Sequence, residues 1–154
     1  MKILPLVTCF CLLSFWGTAG NGVIPQVVKD AFAQLYPDVD GVDVFWETDK
    51  EAVMATFKQH GQLSRAFFDK AGQWRETRIR LYYDQLPRLI RSFLEKQPHD
   101  ADITFIGKVL RPDGSYIFRI ESEFYEEVVI KLIDRQGLLL EEKRIPFTEG
   151  LEIY

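Results

Sequence analysis

Ile24-Pro25-Gln26-Val27-Val28 returns 62 positions later as Leu86-Pro87-Arg88-Leu89-Ile90, and the reading of the fold turns on this pair of stretches. Each opens a helical pattern. In the first, Val28, Ala31, Phe32 and Leu35 stand at i, i+3, i+4 and i+7, one face of a 3.6-residue period. In the second, Leu86, Leu89, Ile90 and Phe93 repeat that spacing. Pro25 and Pro87 suit a first helical turn, where a missing N–H costs nothing, and Asp84 suits an N-cap. Pro37 and Pro98 stop the two runs. A second echo lies downstream, where Phe68-Asp69-Lys70-Ala71-Gly72 matches Ile133-Asp134-Arg135-Gln136-Gly137. Self-similarity at such a period has to be read before any single element.

Working outward, each helix is followed by short β-branched or aromatic runs bounded by turn residues. The first set is Val42 to Glu47, Ala52 to Lys58, Leu63 to Phe68 and Trp74 to Tyr82. The second is Ile103 to Leu110, Tyr116 to Glu121, Glu127 to Ile133 and Leu138 to Ile145. Turns as short as His60-Gly61 and Pro112-Asp113-Gly114 favour antiparallel hairpins. The expected architecture is α+β, a tandem repeat of a helix plus a four-stranded antiparallel sheet. Its units span about 23–82 and 84–146, with the helices on one sheet face and the other face wet. Alternation puts Thr77, Ile79 and Leu81 inward and Trp74, Glu76, Arg78 and Arg80 outward. It likewise puts Val128, Ile130 and Leu132 in the core, opposite Glu127, Val129 and Lys131.

Upstream, Lys2 precedes an apolar run from Ile3 to Trp16 and the small residues Gly17, Thr18, Ala19 and Gly20. This is the pattern of a secretory signal peptide. The run is shorter than the ~20 apolar residues a bilayer span needs. Residues 1–19 are read as a cleaved leader, with a cut after Gly20 nearly as suitable, and 20–154 as the mature domain. Thr8 and Phe10 precede Cys9 and Cys11 where lipidation wants a small residue, which argues against a lipoprotein. The mature chain is thus expected in the periplasm or outside the cell, with no stable membrane span.

Composition narrows the function by exclusion. Both cysteines leave with the leader, so disulfides, thiol catalysis and thiolate metal sites go together. With Lys2 removed, 18 Lys and Arg face 23 Asp and Glu, and mild acidity argues against nucleic acid as a partner. His60 and His99 sit in loops of different units without further ligands, and Asp38, Asp40 and Asp43 lack the layout of a calcium loop. Glu121, Glu123, Glu126 and Glu127 supply paired carboxylates, but such clusters ordinarily solvate a turn or an edge strand. No nucleophile elbow or phosphate-cradling loop occurs. The reading is of a protein that is not an enzyme, with no catalytic residue, metal or cofactor. One set stands out: Trp74, Arg78 and Arg80, with Arg65 and Phe67 beside them. Trp and Arg are the residues most enriched in binding hot spots, while the plainer account is ordinary cross-strand pairing with Glu76.

The opening helix with Ile24-Pro25, Ala31-Phe32 and Tyr36-Pro37 resembles the PepSY-like, β-lactamase-inhibitor-like family of exported bacterial proteins. So do Val44-Phe45-Trp46, the Phe57 to Gly61 hairpin, the Phe68-Asp69 to Gly72 turn with Trp74 and Glu76, and the Leu86-Pro87 helix start. Pro98-His99-Asp100 departs from the pattern, standing where a counterpart of Tyr36-Pro37 is wanted. The resemblance implies a helix-on-antiparallel-sheet repeat, periplasmic or cell-surface placement, and a binding or inhibitory role without catalytic residues. The expected function is an exported binding module whose open sheet face docks a protein or peptide of the cell envelope. The alternative is an accessory envelope protein acting through self-association. Intact-mass analysis of protein from the native host should find a chain beginning at Gly20 or Asn21 without lipid. Full-length protein in the cytoplasm, or an acylated Cys9 or Cys11, would show the leader to be misread.

Overall fold

The computed structural model describes residues 22–97 and 102–147, so the leader reading and the departure at 98–100 lie outside the described residues. In chain order the elements are α1 (Gln26–Leu35), β1 (Phe45–Thr48), β2 (Ala52–Gln59), β3 (Gln62–Asp69) and β4 (Trp74–Arg80). Then come α2 (Arg88–Leu94), β5 (Asp102–Leu110), β6 (Tyr116–Phe124), β7 (Glu127–Ile133) and β8 (Leu139–Pro146). All eight strands form one antiparallel sheet in the order β1 to β8. The tandem of separate helix-plus-four-strand units is therefore corrected: β4 pairs with β5 from Thr77↔Leu110 to Arg80↔Gly107, and the sheet runs on without a break. The physical reason is the strand edge. Two separate sheets would leave the outer rims of β4 and β5 with unpaired N–H and C=O groups, whereas one sheet leaves only β1 and β8 as edges.

Both helices lie on the same face. Under α1, Val28, Phe32 and Tyr36 pack with Val53, Ala55, Phe57, Ala66 and Phe68. Phe32 is 3% exposed, and its ring lies 4.9 Å from Phe57, 5.1 Å from Tyr36 and 5.3 Å from Trp46. Tyr36, just past the helix end, shares a 2.5 Å hydrogen bond between its hydroxyl and that of Thr77, at the centre of the sheet. Burial pushes the Tyr36 phenol pKa up, against a smaller lowering by this bond, so the ring stays neutral. Under α2, Leu86, Ile90 and Leu94 pack with Phe118, Ile120 and Ile133, a cluster with far less ring volume.

The Asp69 and Asp134 turns are built alike. Each carboxylate accepts two backbone N–H bonds, from Ala71 and Gln73 in one turn and from Gln136 and Leu138 in the other. Gly72, at φ +85°, brings its turn against the carbonyl of Val27 in α1, where a Cβ would lie 2.9 Å from that oxygen.

Two strand orientations differ from the alternation expected of the sequence. Phe67 pairs with Glu76, yet Phe68 pairs with Trp74, so Arg75 is an extra residue in a β-bulge. The bulge flips the parity, and Trp74 points to the helix side, donating Nε1–H to the Thr77 hydroxyl at 2.9 Å and packing on the α1 cluster. In β7 the assignment is reversed. Ile133 belongs to the α2 cluster and Lys131 reaches Gln97 and the Phe93 ring, whereas Val128 and Ile130 are buried on the opposite face. Phe32→Ala should cost about 3–5 kcal/mol in a chemical denaturation series. Trp74→Ala should cost about 1–3 kcal/mol, as a half-buried core support, and a neutral result would place it outside the packing.

Candidate functional site

The helix-free face is built by residues that alternate with the core. One row across the sheet reads Thr56, Arg65, Arg78, Val109 and Ile117, each paired with the next. The next reads Arg80, Gly107, Arg119 and Leu132. Met54, Val109, Ile117, Val128 and Ile130 occupy this face and are all below 9% exposed. With both helices on the other side, such low exposure means that the twisted sheet curls about this face.

On this face is a cavity of about 220 Å³ lined by Thr56, Arg65, Arg78, Arg80, Phe105 and Glu121, among others. Its chemistry is dominated by guanidinium. Arg78 donates Nε–H to Glu76 at 2.6 Å and lies 4.3 Å from the centre of the Phe67 ring. Arg119 donates to Glu121 at 2.5 Å. Arg65 donates to the Thr56 hydroxyl at 3.2 Å, and Arg80 to the backbone carbonyl of Thr104 at 3.1 Å. Burial pulls the Arg78 pKa down first and the nearby Arg119 charge second, with Glu76 and Glu121 opposing them. A guanidinium nevertheless remains a cation in any physiological buffer. Four guanidinium groups face two carboxylates here, a local surplus of positive charge in a chain whose net charge is −4.

Gly107 makes room for this arrangement. A Cβ there would lie 2.7 Å from the carbonyl oxygen of Ile79 and would strike the ring of Phe105, which lies over the glycine. Phe105 faces this side by regular alternation with Gly107 and Val109, paired with Glu121, and the register shift between Ile103 and Phe105 instead turns Ile103 to the helix side with Ser122.

Of the sequence-selected residues, Arg65, Phe67, Arg78 and Arg80 are brought together on this face, and Trp74 is not, for the reason of the bulge. Arg119, Glu121, Phe105 and Thr56 complete the site and were not singled out as binding residues. For Arg119 and Glu121 the one signal is the Arg119-Ile120-Glu121 spacing on β6, which mirrors Glu76-Thr77-Arg78 on β4, and Phe105 and Thr56 carry none. The acidic group on β6 and β7 does not act together. Glu121 is spent on Arg119 on the helix-free face, Glu127 pairs with Arg144 at 3.3 Å on the other, and Glu123 is exposed. Asp40 accepts a hydrogen bond from Val42 N–H and caps the 3-10 turn at Gly41–Asp43. Among the described residues no helix is long and apolar enough to cross a membrane.

The same fold occurs in solved bacterial structures. A BLIP-like protein from Bacteroides fragilis superposes with a TM-score of 0.66 at 22% identity, over 79% of this chain and 87% of that one. A DUF2874 family protein from Bacteroides ovatus gives 0.66 at 23% identity, over 78% and 86%. A protein from Bacteroides eggerthii described as one of the "putative periplasmic proteins" gives 0.68 at 21% identity, over 82% and 92%. No curated protein matches the chain. The model of the family described as "Putative beta-lactamase-inhibitor-like, PepSY-like" matches residues 51–141, from β2 into β8 and through every residue named for the cavity, and the chain belongs to that family.

Proposed function

We propose that this protein is a binding module of the bacterial envelope, not an enzyme, and that it docks an acidic, partly apolar segment of a protein or peptide on its helix-free sheet face. The observation that carries this reading is the cavity at Arg65, Arg78 and Arg80, with cationic walls beside the rings of Phe67 and Phe105. Guanidinium groups held in place by neighbouring side chains offer forked donors to a carboxylate without losing further conformational freedom. Glu76 and Glu121 are each spent on an arginine, which suits recognition better than acid–base chemistry. Envelope placement rests on the leader pattern and on the periplasmic description of the B. eggerthii relative. Inhibition of an extracytoplasmic hydrolase is the sharper form of the proposal and rests on the family description alone.

A second reading, self-association, draws on Leu138, Leu139 and Leu140, which are 64%, 40% and 52% exposed at the start of edge strand β8. Affinity capture from envelope extract, followed by mass spectrometry and binding titration, separates the two. Arg65→Ala and Arg80→Ala should each weaken capture of a foreign partner by about thirtyfold while changing folding stability by under about 1 kcal/mol. Binding should also fall as salt rises, because the recognised charges are only partly shielded by protein. Normal capture by both variants would move the site elsewhere. Association only with copies of itself, sensitive to Leu139→Lys, would favour the second reading.

A further inference from the structure

On the helix side of β5 to β8 lies a second cavity, about 330 Å³, beneath the end of α2. We infer that it is a binding site for an uncharged, single-ring aromatic group bearing a hydroxyl, the chemistry of a phenol.

The cavity exists because the α2 cluster lacks the rings that fill the α1 cluster. Counting back along β3 from Asp69 and along β7 from Asp134, the strand registers match pair by pair. Val53↔Phe68 corresponds to Phe118↔Ile133, Ala55↔Ala66 to Ile120↔Lys131, and Phe57↔Ser64 to Ser122↔Val129. Ser122 therefore stands where Phe57 stands, and Leu94, counted from Leu86-Pro87, stands where Phe32 does, counted from Ile24-Pro25. α1 runs for 10 residues and α2 for only 7. Two rings are missing from equivalent places, and the cavity has opened there over Ile120, Ser122, Phe124 and Val129. Its volume is in the range of small-ligand sites, roughly 300–1,000 Å³.

The rim decides the chemistry of the occupant. Lys131 is held by Gln97 and lies 3.7 Å from Glu142, while Arg144 lies 2.9 Å from Glu142 and 3.3 Å from Glu127. The Tyr83 hydroxyl donates to Glu95 at 3.0 Å. Both cations already have carboxylate partners, so a charged ligand would enter a site whose charges are balanced, whereas a neutral one needs no counter-ion there. An aromatic ring is favoured over an aliphatic one because Lys131, already 6.0 Å from the Phe93 ring, and Arg144 border the cavity and attract a ring face. The Ser122 hydroxyl on the floor supplies the hydrogen-bond partner, as Thr77 does for Tyr36 under α1.

The test uses p-cresol as the probe on the mature protein, with 4-methylcyclohexanol as the aliphatic match, followed by NMR shifts at Ile120 and Val129. p-Cresol should bind and the aliphatic alcohol should bind at least about tenfold more weakly. Ser122→Phe should raise the melting temperature and abolish p-cresol binding, since it fills the cavity with the missing ring. Leu94→Phe serves as the second filler should Ser122→Phe not fold. A capped Ala-Tyr-Ala peptide binding more tightly than p-cresol assigns the occupant to a partner's tyrosine, and its exclusion assigns a free small molecule. Arg65→Ala should bind p-cresol like the wild type, so this site and the helix-free face fail or stand separately. No binding to the wild type, equal binding to the filled variants, or tighter binding of the aliphatic alcohol overturns the inference.

Discussion

The short pairing between β4 and β5 is the constraint on which the rest of the structure depends. Its rungs run from Thr77↔Leu110 to Arg80↔Gly107 and convert two potential half-sheets into one. The helix side of this seam is already committed, because Thr77 is hydrogen-bonded to Tyr36 and Trp74 beneath α1. The helix-free side then has to accept Arg78 and Arg80 next to Val109 and Gly107. Without the seam Arg78 and Arg119 would belong to different bodies. With it, burial first and the neighbouring Arg119 charge second pull the pKa of Arg78 down, and Glu76 and Glu121 oppose them as partners.

The two faces of the sheet use the same strands for different ends. On the helix side the α1 half is filled by tilted and edge-on rings, an arrangement that adds about 0.5–1.5 kcal/mol per ring pair beyond the area buried. On the other side, apolar residues at the curl and cations at its floor share one surface, which is costly unless every charge has a partner. Among the described residues no buried side-chain nitrogen or oxygen lacks a hydrogen-bond partner. The acidity of the chain as a whole hides this basic floor, because the surplus of carboxylates is distributed elsewhere.

Much of the local structure was legible in the residues, because helices and hairpins are encoded by short-range periodicity and turn chemistry. The helix starts at Ile24-Pro25 and Leu86-Pro87, the strand segments and the paired Asp turns could all be found that way. Three things could not. The seam depends on which edges meet in space, and edge pairing has no local signature in Thr77 to Arg80. The orientation of Trp74 depends on Arg75 being an extra residue, and a single insertion reverses alternation without altering composition. In β7, Val128, Val129 and Ile130 are all buried, so a strand covered on both faces offers no polar phase from which to tell them apart. The arginines of β3 and β4 were visible as a set, but Arg119 and Glu121 join them only once the seam exists.

The strictly sequential strand order has a kinetic consequence. Each strand from β2 to β7 pairs with the one before it and the one after it, and β1 and β8 with one neighbour each, with no crossover and no parallel partner among the described residues. Most closures that the chain must make are therefore hairpin-sized, and the longest between paired strands is the span from Arg80 to Asp102 that carries α2. Loop-closure entropy grows slowly with length, so that one step costs on the order of 1–2 kcal/mol more than a hairpin. A sheet whose strands pair across distant parts of the chain folds slowly, whereas here each pairing joins strands adjacent in sequence. Zippering can start at any hairpin and spread along the sheet one strand at a time, so a chain emerging progressively from one end can acquire its strands in the order in which they appear.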